Sequence, residues 1–193
     1  MVRAPHSGWM ARMAEMSLTF SPALSEPHLL AGAVLAALRS WPTAQDVLVA
    51  EIDPALADTA AFCERYGVSL EESANCVVIA ARRGQDTTYA ACMVAATTRA
   101  DVNGLVRRHL DARKASFAKV DDVTAATGME YGGITPIGLP QAWPVLVDAN
   151  VAKTDSVIIG SGIRGSKLRL PGHLLAELPN AQVLDGLGVR IAS

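Results

Sequence analysis

Little in this sequence could serve as a catalytic centre by residue type alone. It has only 3 cysteines and 4 histidines in 193 residues. Cys63, Cys76 and Cys92 are odd in number, far apart and set in apolar or helical surroundings. That pattern fits neither a disulfide framework nor a zinc site, and reads as small core residues of a cytoplasmic protein. His6, His28, His109 and His173 stand in no metal-ligand spacing, and no Gly-x-Ser-x-Gly elbow is present. The acidic residues form no evident pair. Cys76 as a nucleophile would need a partner histidine that nothing in the sequence points to, so a buried thiol is expected. No metal and no cofactor are expected.

Excess charge is missing too. A formal net charge of -2 and a pI near 6.1 give no overall attraction to nucleic acid, so any phosphate contact must be local. Two local basic clusters exist, Arg107, Arg108, Arg113 and Lys114, then Arg164, Lys167 and Arg169; each taken alone reads as a solvated face. The longest apolar run, 29–38, is about half of what a bilayer requires, so it is expected to be a buried helix and no membrane partner is expected. Residues 1–15 carry Arg3 and Arg12 without the apolar core or cleavage site of a signal peptide. They are expected to be a disordered leader, with 16–193 forming a single domain.

Half of the residues are hydrophobic and only 5% aromatic, which suits tightly packed α/β layers. Helical spacing is expected over 27–41, stopped by Pro42, and a strand over 46–52. A helix over 59–66 closes at Gly67, and Ser69-Leu-Glu-Glu72 has the form of a capping box. Strands over 75–80 and 87–96, linked by the polar 82–86, read as a hairpin. From Asp101 a helix should put Val102, Leu105, Val106 and Leu110 on one stripe. A short extended piece at 115–118, a helix over 121–127 ended by Gly128, strands at 144–148, 156–159 and 167–170, a helix over 171–178 and a last strand at 189–191 complete the reading. The expected class is α/β (α+β), with a mixed, barrel-like sheet flanked by helices.

Two loops stand out. Gly128-Met-Glu-Tyr-Gly-Gly-Ile-Thr-Pro-Ile-Gly-Leu-Pro140 is too rich in glycine and proline for a helix or a central strand, and Gly160-Ser-Gly-Ile-Arg-Gly165 follows a short apolar strand. Neither is a Walker loop, and the second is a poor Rossmann fingerprint because it comes late and leads into a strand. Two readings stay open. The loops can offer backbone N–H groups to an oxyanion that forms when water attacks an acyl carbonyl, or their glycines can merely let two segments pack closely.

These pieces, in this order, resemble the YbaK/ProX family, aminoacyl-tRNA deacylase domains related to the editing domain of prolyl-tRNA synthetase. The matching parts are the strand after Asn75, Lys114 before a short strand, Thr127-Gly128, the Gly132-Gly-Ile-Thr-Pro-Ile-Gly138 loop, Leu146-Val-Asp148, and Gly160-Ser-Gly-Ile-Arg-Gly165 with Leu168-x-Leu170. They cover about two thirds of the chain. The resemblance implies a free-standing hydrolase that cleaves the ester of mischarged aminoacyl-tRNA by water attack, with backbone N–H groups at the oxyanion and help from the substrate's own ribose hydroxyl. It implies that Ile134, Thr135 and Pro136 line the acyl pocket with Gly132 and Gly133, and that Gly160, Ser161 and Gly162 face the terminal adenosine or the ester; on this reading tRNA contacts come from Arg107, Arg108, Lys114, Arg164 or Lys167. The implied partner is the acceptor end of aminoacyl-tRNA, with self-association or a tRNA synthetase as further partners.

One departure matters. The family usually carries a lysine where this chain has Asn75, which can donate and accept hydrogen bonds but supplies no charge. Strand alternation puts Asn75, Val77 and Ile79 on one face and Cys76, Val78 and Ala80 on the other, so only one of Asn75 and Cys76 is expected to face the pocket, and Asn75 is taken. Lys167 restores some charge near the site or is simply exposed. The alternatives to the hydrolase are an aminoacyl-tRNA or nucleotide binding module with weak or no turnover, because Asn75 replaces the lysine, and an unrelated binder of small acyl or nucleotide ligands.

Overall fold

A computed structural model describes residues 18–190, so the expected leader, 1–15, lies outside the described residues. The strands are β1 (Ser21–Pro22), β2 (Leu48–Glu51), β3 (Ala74–Arg83), β4 (Asp86–Ala95), β5 (Thr98–Ala100), β6 (Lys114–Phe117), β7 (Val145–Asp148), β8 (Val157–Gly160), β9 (Ser166–Leu170), β10 (Ala181–Leu184) and β11 (Gly188–Arg190). The helices are α1 (Gly32–Ser40), α2 (Thr59–Tyr66), α3 (Arg107–His109), α4 (Val120–Thr127) and α5 (Ala149–Ala152).

One sheet has the order β1-β2-β9-β8 and is antiparallel throughout. The other has the order β10-β7-β4-β3-β6, parallel from β10 to β4 and antiparallel from β4 to β6. A small ribbon pairs β11 with β5. Among the described residues no sheet closes on itself, so the mixed α+β class holds while the barrel likeness reduces to two sheets around one core. A parallel bridge from Ser73 to Ile158 ties their edges together. The main core takes Val34 and Leu38 of α1, Val49 of β2, Met93 of β4, Val147 of β7 and Leu168 of β9. Each such side chain contributes about 1.5–3 kcal/mol by leaving water. On its other face the first sheet is covered by α2 through Phe62, Cys63, Ile52 and Ile158.

Local signals formed their elements. The Asp58 carboxylate accepts from the N–H groups of Ala60 and Ala61 and starts α2, and Gly67 ends it at φ 66°. Ser69 and Glu72 make the reciprocal capping box, around a 3₁₀ turn, Leu70–Glu72. Gly128 ends α4 at φ 66°.

Tertiary contacts changed other expectations. The helix expected over 27–41 begins only at Gly32, because the Ala31 N–H donates to the carbonyl of Ser161 and the Leu29 carbonyl accepts from the Ser166 hydroxyl. The expected hairpin link, 82–86, shrinks to a two-residue turn at Gly84 and Gln85, with Arg83 paired to Asp86 and Gly84 at φ 64°. Polar residues do not stop a strand that has run past the core. The helix expected from Asp101 opens as a π-helical turn, Val102–Val106, since the Asp101 carboxylate takes the N–H groups of Gly104 and Leu105 and its carbonyl takes that of Val106. The segment Gly172–Glu177 is 3₁₀ helix. Strands β1, β5 and β10 were not expected.

Candidate functional site

Lys167 sets the chemistry of one cavity. Strand alternation turns Leu168 and Leu170 into the main core and Lys167 to the opposite face, under α2. Its register partners are Ala50 on β2 and Gly160 on β8, two small residues that leave room for a long side chain. Lys167 is only 6% exposed. Its Nζ donates to the carbonyl of Ala57 at 2.9 Å and stands 5.4 Å from the centre of the Phe62 ring. Among the described residues it forms no ion pair. Burial pushes its ammonium below the usual lysine range, opposed in part by Cys63 and Asp58. A buried cation without a carboxylate is costly, and such groups gather at sites that use them.

The cavity beside it encloses about 480 Å³ and is lined by Asn75, Thr59, Gly132, Ile134, Gly160 and Lys167, among others. Asn75 is held there. The Thr59 hydroxyl donates to its Oδ1 at 2.7 Å, which leaves the Nδ2 hydrogens without a partner among the described residues. Thr59 belongs to the first turn of α2, and nothing in its own sequence neighbourhood relates it to position 75.

A second, apolar cavity of about 310 Å³ adjoins the first and shares Cys76, Val77, Tyr131 and Ile134 with it. Its wall adds Phe117, Val78 and Val123. Asn75 and Cys76 therefore both border the first cavity, contrary to the expectation that only one would. Side-chain alternation does hold, with Cys76 packed against the main core and Val77 against the second, but the depression is wide enough to reach both residues. Burial, with Cys92 nearby, pushes the Cys76 thiol well above its usual range, so it stays protonated and is a poor nucleophile.

The two glycine loops lock together. The Gly162 N–H donates to the Gly133 carbonyl at 2.7 Å, the Gly133 N–H to Glu130, and the Glu130 N–H to the Gly162 carbonyl. A Cβ at Gly133 would land on the backbone of Ile163, and one at Gly160 on the carbonyls of Gly133 and Ile134. Close packing thus accounts for Gly133, Gly160 and Gly162. Gly132, at φ 89°, borders the cavity, and its N–H has no partner among the described residues.

Of the residues singled out from the sequence, the fold brings Asn75, Gly132, Ile134, Gly160 and Lys167 to one cavity. Others lie off it. The Ser161 hydroxyl is fully buried, 2.6 Å from that of Ser166 and within reach of the carbonyls of Ile163 and Ser166, so it acts as a strut of its loop. Thr135 is also fully buried, with its hydroxyl unpartnered. Pro136 borders a different cavity, between α1 and the loop 136–143. Arg164 spends its guanidinium on the carbonyls of Tyr131 and Pro54 and so ties the first loop to the entry of α2. Lys114 lies on the edge strand β6. Among the described residues no three His, Cys, Asp or Glu side chains gather into a metal-binding group, and no helix is long and apolar enough to cross a membrane.

The family described as an aminoacyl-tRNA editing domain matches residues 53–178, which include every cavity-lining residue named above. A curated relative from Enterococcus faecalis, a candidate Cys-tRNA(Pro)/Cys-tRNA(Cys) deacylase named EbsC, is 27% identical over 73 residues. That stretch is 38% of this chain and 44% of the relative, so the chain matches less than half of that protein's length. Among solved structures, one of a candidate trans-editing enzyme for prolyl tRNA synthetase superposes with a TM-score of 0.68 at 21% identity, covering 80% of this chain and 94% of that one. The hypothetical protein APE2540 superposes with a TM-score of 0.62 at 16% identity, over 94% and 97% of the two chains. These likenesses show the fold.

Proposed function

This chain belongs to the aminoacyl-tRNA editing domain family, and from that premise we propose that it is a free-standing hydrolase of the ester joining a wrong amino acid to the terminal ribose of tRNA. The observation that carries the reading is the buried, unpaired ammonium of Lys167 on the same cavity as the Asn75 amide and the Gly132 N–H. Where relatives of this kind hold a lysine at position 75, this chain supplies a cation to that space from β9.

The chemistry follows from that donor set. Water adds to the acyl carbon, the carbonyl oxygen takes up charge, and on collapse the bond to the ribose oxygen breaks. The attacking water's proton passes by way of the adjacent ribose hydroxyl to the leaving oxygen. The developing oxyanion is met by Asn75 Nδ2, the Gly132 N–H and the field of Lys167, where each donor aimed at the transition state lowers the barrier by about 2.7–4 kcal/mol. The apolar cavity behind Ile134 takes the amino-acid side chain. Gly133, Ser161, Gly162 and Arg164 act at one remove, holding the loops in register. Thr135, fully buried, and Pro136, on the cavity beside α1, lie off the reaction site.

The test is a panel of aminoacyl-tRNAs incubated with and without protein. At least one ester is expected to disappear faster with protein, and Lys167→Met to reduce that rate by about 10²-fold. If no ester is lost faster, yet an adenosine-ended, non-hydrolysable aminoacyl analogue binds, the protein is the binding module that Asn75 in place of lysine would make.

A further inference from the structure

The edge strand β6 carries a feature that the reaction site does not use. Arg82, Arg107, Arg113 and Lys114 line one cleft of about 430 Å³, and no carboxylate lines it. All four are exposed. None forms an ion pair among the described residues, whereas neighbouring Arg83 is paired with Asp111. Arg82 and Lys114 are register partners across the antiparallel β3–β6 pair, so like charges stand directly opposite, which destabilises a sheet. A single lysine on an edge strand is enough to discourage pairing with another chain. Four cations without an acid, in a chain of net charge -2, exceed that need and mark a place for a polyanion.

Its position says which polyanion. β6 runs from Lys114 in the cleft to Phe117, whose ring is 65% exposed and borders the apolar cavity. At about 3.4 Å per residue, the two ends are about 10 Å apart, and alternation puts Lys114 and Phe117 on opposite faces of this edge strand, so a ligand that reaches both passes round the edge. A basic groove, then an exposed aromatic face, then a cavity is how proteins hold an RNA strand, with phosphates on the cations and a base on the ring. We infer that this cleft binds the phosphodiester backbone of tRNA next to the 3′ end that enters the reaction site. The inference rests on the aminoacyl-tRNA reading above.

An uncharged tRNA transcript titrated at several salt concentrations tests it, with wild type, the double variant Arg82→Gln/Arg113→Gln, and Arg39→Gln as an exposed control on α1 outside the cleft. The slope of log K against log salt should weaken by about two in the double variant and stay near the wild-type slope in the control. The ratio of kcat/KM for full-length aminoacyl-tRNA to that for aminoacyl-adenosine should fall about tenfold. An unchanged slope in the double variant, or wild-type binding that ignores salt, overturns the inference. So does light scattering that shows the double variant dimerising while its RNA affinity is unchanged, since the cations would then serve only to guard the edge. If wild type hydrolyses nothing but the slope weakens as stated, the reaction proposal fails and the cleft stands. If wild type hydrolyses and the double variant keeps both slope and ratio, the cleft fails alone.

Discussion

Lys167 meets a demand of folding and, under the proposed reaction, an opposing demand of chemistry. In an unfolded chain it would take its proton near the usual 10.5, while in the fold burial lowers that value. The unfolded state therefore binds the proton more readily. The penalty is absent above pH 10.5, builds as pH falls from there toward the folded value, and is complete below that value. Lys167→Met should unfold at higher denaturant than wild type at pH 7, with the gap closing at strongly alkaline pH, and should deacylate about 10²-fold more slowly. A variant both slower and less stable would sink this account. Asn75→Ala should lower kcat by about 10²–10³ with little change in stability, since only the Thr59 hydroxyl loses its acceptor. Position 75 was legible from the sequence because a strand and a motif frame it. Thr59 was not, for its link to Asn75 crosses 16 residues and depends on how α2 docks. The burial of Lys167 was hidden as well, because it depends on Ala50 and Gly160 in two other strands.

Elements were legible where their causes are local. Asp58, Gly67, the Ser69–Glu72 box and Gly128 act within one turn of chain, and each did what its residue type predicts. Elements whose bounds depend on distant partners were not. The first helix starts late because Ser161 and Ser166 capture the backbone at Ala31 and Leu29. The stripe of Val102, Leu105 and Val106 fits a π turn as well as an α turn, and only the Asp101 carboxylate decides between them. Strand β10 gave no alternation to read, since it pairs in parallel with β7 and leaves Val183 exposed. For the glycine loops the packing reading gains most of the residues and the donor reading keeps Gly132. Gly133→Ala should thus cost about 1–3 kcal/mol in thermal or denaturant unfolding, because the added carbon meets the backbone of Ile163, which cannot swing aside. A variant as stable as wild type would mean that the loops are looser than their hydrogen bonds imply.

At the scale of the molecule, the mixed class was legible from short strands interleaved with short helices. The division into two sheets was not, for it depends on the order β1-β2-β9-β8, in which β2 pairs with β9 from far along the chain. That order has a kinetic meaning. The hydrogen bond from Lys167 to Ala57 spans 110 residues of chain, as does the one from Arg164 to Pro54. A chain still emerging from the ribosome has α2 and the hairpin of β3 and β4 long before it has β9, so the cavity that Lys167 borders closes late. An adenosine-ended aminoacyl analogue should then slow unfolding in proportion to its affinity and leave the refolding rate unchanged, as measured by the two arms of a chevron plot.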